Sequence, residues 1–160
     1  MRAMFFNLFP STALLWAALT PSAPETHVSL VARVGARVIP AEGTGECYTS
    51  SESTIYDVPA TQWHAVFTGP KSSDLRDVNV TVWRPKAGGS DQVTLYLTLE
   101  EKTYRIATVT GGELLGRATA SARRQGDGGT LLVEGTTRDG TPIKLELSCN
   151  AFSEIVEGNG

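Results

Sequence analysis

Histidine 64 is the residue that could do acid–base work near neutral pH, because an imidazole ordinarily titrates there. The chain has two histidines, and the other, His27, lies close to the start of the exported part. No His-x-His or His-x3-His pair occurs, and a metal centre ordinarily needs three or four N, S or carboxylate ligands. There is no Gly-x-Ser-x-Gly elbow, so the common serine-hydrolase arrangement is missing. The hydroxyl-rich run 49–54 has no base marked beside it and reads as a polar loop. Asp74 and Asp77, or Asp127 between glycines, could offer oxygens to Ca2+, but neither follows an EF-hand spacing, and both fit turns. Glu42, Glu46, Glu100, Glu101, Glu113, Glu134 and Glu146 read as loop or outward positions, so no carboxylate pair for glycoside hydrolysis can be assigned. Gly43-Thr44-Gly45 and Gly126-Asp127-Gly128-Gly129 open no helix, which excludes a nucleotide-cradling loop. Asn79-Val80-Thr81 fits a glycosylation sequon but lies inside a strand pattern. No catalytic residue, metal ligand or cofactor is assigned.

Two other sets of residues carry information. Cys47 and Cys149 are the two cysteines of the chain. They form no Cys-x-x-Cys and sit in no βαβ pattern, so an oxidising compartment would make them a disulfide. Cys149 ends an alternation of Ile143, Leu145 and Leu147 with Lys144, Glu146 and Ser148, which puts it on the apolar face of a strand. Trp63, Trp83 and Tyr96 fall in strand-like runs. Trp83 shares a face with Asn79 and Thr81, and Tyr96 with Thr94 and Thr98. Exposed together with His64 they would form a binding face; buried, they would fill the core under a second sheet.

The elements that must position these residues are strands. Residues 27–39 give a first strand, stopped by Pro40, and 41–53 read as a loop tied down by Cys47. Residues 54–58 give a short strand before Pro59, and 62–68 another, stopped by Gly69-Pro70. Residues 72–77 read as a turn with room for one helical turn capped by Ser72 or Ser73. Alternation then marks strands at 78–83, 93–99, 103–110, 116–125, 130–136 and 141–149. Glu100-Glu101-Lys102, Gly126-Asp127 and Arg138-Asp139-Gly140 turn the chain between them. Ala118, Ala120 and Ala122 line one face of their strand, so a large neighbour or a close sheet must fill the space there. About eight short strands with turns at regular spacing predict an all-β, antiparallel β-sandwich or open barrel.

The first 22 residues read as a secretory signal peptide: Arg2, an apolar stretch, then small residues ending at Ser22. The alternative is an uncleaved anchor, although Asn7, Pro10, Ser11 and Thr12 interrupt the roughly 20 apolar residues that a spanning helix wants. No cysteine precedes Cys47, so a lipid-modified N-terminus is not expected. The expected organisation is a leader 1–22, an N-terminal strand and loop 23–53, a core 54–150 in the same domain, and a loose tail 151–160. Removing the leader takes away one basic and no acidic residue, so the formal net charge of −3 becomes −4. With scattered Lys and Arg, that charge argues against nucleic acid as a partner.

The C-terminal run Gly116-Arg117-Ala118-Thr119-Ala120, then Leu131-Leu132-Val133-Glu134-Gly135-Thr136, then Ile143 to Cys149 resembles the end of the mycobacterial cell-wall lipoprotein antigen family. The resemblance covers about 35 residues. It implies a small exported β domain with a disulfide to the last strand, and no catalytic residue. The lipid-modified cysteine of that family has no counterpart here. The expected function is non-enzymatic: an exported β domain, secreted or held at the envelope, that binds a protein or small-molecule ligand or builds an assembly, with no membrane span after signal cleavage. Two alternatives stand beside it. A small secreted hydrolase-like enzyme would bring His64 to a carboxylate, and a carrier of an apolar ligand would leave a cavity beside residues 118–122.

Overall fold

The computed structural model describes residues 25–155 and is all-β. The predicted leader lies outside the described residues. Nine antiparallel strands form one sheet in the order β6-β5-β4-β3-β2-β1-β9-β8-β7, curled nearly into a barrel. They are β1 Thr26–Val34, β2 Arg37–Ile55, β3 Val58–Thr68, β4 Leu75–Pro85, β5 Gln92–Leu99, β6 Lys102–Ala107, β7 Arg117–Gln125, β8 Gly128–Thr136 and β9 Pro142–Cys149. A two-residue β10, Ser153–Glu154, pairs in parallel with β2.

The topology is two meanders, β2–β6 and β7–β9, joined through β1. β1 pairs with β2 on one side and with β9 on the other. Facing residues of paired strands share a face, so the interior can be read in rows. Cys47, Ala65, Val80, Leu95 and Ile106 form one row across the first meander. Ala41, Leu30, Leu147, Leu131 and Ala122 form another across β1 and the second meander. The residues that face inward from both meanders belong to one hydrophobic cluster, with Phe67, Leu95, Leu131, Leu145 and Leu147 fully buried in it. The barrel is filled by side chains in the manner of small closed barrels.

The alanines of β7 face this interior, opposite Val133 and Leu131 of β8. The Trp63 ring packs on the core, and the Arg84 guanidinium lies 4.9 Å from its centroid. Arg84 donates to the Ala122 carbonyl at 3.2 Å and in a fork to Asp91 at 2.8 and 3.1 Å.

Five expectations need correction. The first strand does not run to residue 39: Gly35-Ala36 turns the chain between Val34 and Arg37, a hairpin marked only by one glycine. The expected loop 41–53 is most of a 19-residue strand, β2. Its first half pairs with β1 and its second with β3, and Gly45 is where it changes partner. A Cβ at Gly45 would lie 3.1 Å from a Val28 methyl and would also strike the Val66 backbone, so the crossing needs a glycine. Residues 54–58 are no separate strand, since Tyr56-Asp57 is the turn between Ile55 and Val58. The helical turn suggested at 72–77 is absent: β4 begins at Leu75, and Asp74 is an ion-pair partner of Arg37 at 2.9 Å. The tail is not loose from 151 onward. Phe152 is buried in the core, its amide donates to the Asp127 carbonyl at 2.7 Å, and β10 covers the edge of β2.

Cys47 and Cys149 are joined in a disulfide, which ties β2 to β9 across β1 and closes a sequence separation of 102 residues. Restricting so long a loop in the unfolded chain is worth up to ~4–5 kcal/mol in the chain-entropy model. A Cys47→Ala, Cys149→Ala double variant should therefore unfold at a markedly lower urea concentration than the oxidised protein. An unchanged midpoint would show that the bond adds no stability.

Candidate functional site

Period-two alternation sends the other set of side chains outward, and these build a groove. Its floor is one outer patch of β4, β5 and β6. Thr94 faces Ala107, Tyr96 faces Arg105, and Trp83 lies beside them on β4. The segment 108–116, between β6 and β7, forms one wall, and Tyr56, from the Tyr56-Asp57 turn, packs on that wall at the rim. The groove encloses about 380 Å3, within the range of small-molecule sites.

The wall is held in place by its own bonds. Ala107 and Leu115 exchange two backbone hydrogen bonds of 2.9 Å, and the Thr110 amide donates to Gln92 Oε1 at 2.9 Å. Val109 is buried with Ile55 and Ala60 in a small second cluster, against which Trp83 packs. Trp83 is thus an anchored floor rather than a free flag.

Tyr56 is the unusual residue. It has φ 45° and Asp57 φ 65°, the left-handed conformation at both central positions of a two-residue hairpin turn. Asn-Gly is the common solution there, and an aromatic residue in that region costs about 1–2 kcal/mol. The ring lies against Gly111 and Gly112, where side chains could not fit: an added Cβ would sit 3.1 Å from Tyr56 Cγ at Gly111 and 2.7 Å from Tyr56 Oη at Gly112. Tyr56 is nevertheless 62% exposed. A strained, exposed aromatic seated on two glycines at the lip of a groove is the kind of local cost that accumulates at binding sites. Across the groove, Arg105 lies 4.9 Å from the Tyr96 ring centroid and donates to Tyr96 Oη at 3.2 Å, with Glu113 on the wall nearby. Aromatic faces, one cation and one carboxylate converge on the same space.

In comparisons with known proteins, the chain matches no family model, no curated protein and no solved structure.

The four residues expected on one binding face are divided by the structure. Trp83, Tyr96 and His64 are on the outer face, and Trp63 is on the inner one. Trp63 faces the fully buried Val82, whereas Trp83 faces Gln62, one register step away, and one step reverses the face. His64 faces Tyr48 and Thr81, one row from Trp83, and does not line the groove. Its ring stacks on Tyr48 with centroids 4.6 Å apart, and Nδ1 lies 2.7 Å from Thr81 Oγ1. Among the described residues no hydrogen bond or ion pair joins His64 to a carboxylate, and no cluster of three metal-ligating side chains occurs. Tyr56 and Arg105 carry no signal of their own in the sequence, and Glu113 reads there only as a loop or outward position; the adjacent Gly111-Gly112 is the available signal.

Burial holds the His64 pKa below the ordinary histidine value of about 6.5. The folded state therefore binds its proton less readily than the unfolded chain. The stabilisation from a neutral His64 is complete above about pH 6.5 and is lost as pH falls from there toward the folded value. Urea midpoints measured from pH 8 to 5 should fall at the acid end, and His64→Gln should flatten that fall; equal slopes in both proteins would contradict the assignment. Separately, Tyr56→Asn should keep or raise the midpoint, because Asn tolerates the left-handed turn better. A large loss would mean that the ring, despite its exposure, carries the fold.

Proposed function

We propose that the protein is an exported, non-enzymatic binding domain whose ligand seat is the outer groove of Tyr56, Trp83 and Tyr96. The observation that supports this reading most is Tyr56, held exposed in a costly backbone conformation at the lip of an anchored aromatic groove. The filled barrel interior favours an external seat over an internal apolar cavity. The groove suits a ligand with at least one flat apolar face, to stack on the rings, and polar groups at its margin for Arg105 and Glu113.

Work outside the cytoplasm is supported by the leader-like residues 1–22 and by the buried disulfide, which fits an oxidising compartment. No helix among the described residues is long and apolar enough to cross a membrane. The C-terminal similarity to the cell-wall lipoprotein antigens points the same way.

Native mass spectrometry of the full-length gene product, recovered from the medium or envelope of its host without reduction, tests the reading. The expected species is trimmed near Ser22, two hydrogens lighter than its reduced form, and carries a bound molecule that Trp83→Ala and Tyr96→Ala release. A bound molecule retained by both variants would displace the seat from the groove. Turnover of a small molecule that His64→Gln abolishes would replace binding with catalysis.

A further inference from the structure

The near-closed barrel has a seam. β6 is paired only with β5, and β7 only with β8. Between them a single bridge, Ala107 to Leu115, begins an antiparallel ladder. The ladder stops at once because Gly116, at φ 74°, turns the chain away to pair with β8. A side chain there would lie 3.0 Å from the Thr137 backbone, so glycine is required for the departure.

Hydrogen-bond direction alternates along a strand. Ala107 turns both its backbone groups toward Leu115, whereas Thr108 turns its amide to Val93 of β5. By the same alternation Arg105 and Thr103 turn their N–H and C=O groups into the seam, where no strand meets them. A groove of about 220 Å3 runs along this edge, lined by Thr103, Arg105, Leu115, Thr137 and Arg138. It lies where the next strand of the ladder would be.

Charge selects what could lie there. The groove is lined by three cations, Lys102, Arg105 and Arg138, against one carboxylate, Asp139, and Arg117 opens β7 directly after the departure at Gly116. Lys102 is spent on Asp139 at 3.4 Å, whose carboxyl is held down at about 2, chiefly by the Thr137 hydroxyl. Among the described residues, Arg117 and Arg138 make no ion pair. Edge cations keep like copies from pairing edge to edge, and they also favour an acidic strand.

We infer that the β6 edge at the seam accepts an extended acidic peptide segment of another protein, which continues the antiparallel ladder beyond Leu115. Main-chain bonds to Thr103 and Arg105 would supply the docking, and Arg138 and Arg117 the charge preference, as in strand-addition complexes generally. This surface adjoins the aromatic groove, with Arg105 and Leu115 lining both, but it is read through backbone groups of β6, so its test does not depend on that reading.

The probe is a ten-residue peptide alternating glutamate and valine, titrated by fluorescence anisotropy into the oxidised protein, with amide hydrogen exchange read at β6. The expected result is saturable binding that slows exchange at Thr103 and Arg105. The lysine–valine peptide, and a glutamate–valine peptide N-methylated at alternate residues, should not bind. Thr103→Pro removes a seam-facing donor and should weaken binding roughly tenfold. Arg117→Glu should also weaken it, while Arg33→Glu, the same charge change on β1, three strands from β7 in the sheet order, should not. Binding that survives N-methylation, equal effects of Arg117→Glu and Arg33→Glu, or no binding at millimolar peptide would each overturn the inference. So would protection of Thr103 and Arg105 by self-association without peptide.

Discussion

One strand holds this domain together. β1 is hydrogen-bonded to β2 along one edge and to β9 along the other, and through it the two meanders become one sheet. The disulfide repeats that connection covalently, from β2 to β9. Everything else follows from the curl it imposes. The inward rows of both meanders meet in a single core, and the far ends of the sheet, β6 and β7, are carried round until they almost touch. Loss of β1 would leave a five-stranded and a three-stranded sheet, each with a bare apolar face.

Curling also decides where chemistry can happen. The interior is taken up by Val, Leu and Phe side chains, and Arg84, laid over Trp63, reaches the alanine strand at the Ala122 carbonyl. What remains for recognition is the outside, where strands β4 to β6 present Tyr96 and Arg105 facing each other in one row and Trp83 two outward rows away, across Thr94. The connection from β6 to β7 has a double duty. It walls the aromatic groove through Val109 and Gly111-Gly112, and it leaves the seam unfinished by turning away at Gly116. Groove and seam are consequences of the same nine-residue segment.

Much of the fold was legible in the sequence because alternation is a local property. Ile143 to Cys149 and Val93 to Leu99 announce both their strand and its buried face. The misread region, β2, fails every local test: it is rich in Ser, Thr, Glu and Gly, and its apolar positions are sparse. It is a strand because β1 and β3 claim it in turn, a tertiary cause that no window of its own residues contains. The site was legible in part. Trp83 and Tyr96 could be placed on one face strand by strand. Trp63 could have been separated from them, since Trp63, Ala65 and Phe67 alternate with Gln62, His64 and Val66. Tyr56 could not be found, because its role rests on glycines more than fifty residues away.

The claim that β1 is the join on which the barrel depends is tested most directly by native-state hydrogen exchange. The amides of residues 28–34 in β1, bonded on both sides, should exchange only through global unfolding, with the opening free energy equal to that from urea denaturation. Exchange of these amides through a smaller opening, while β4 and β5 stay protected, would show that β1 can leave the sheet without unfolding it, and would contradict the account.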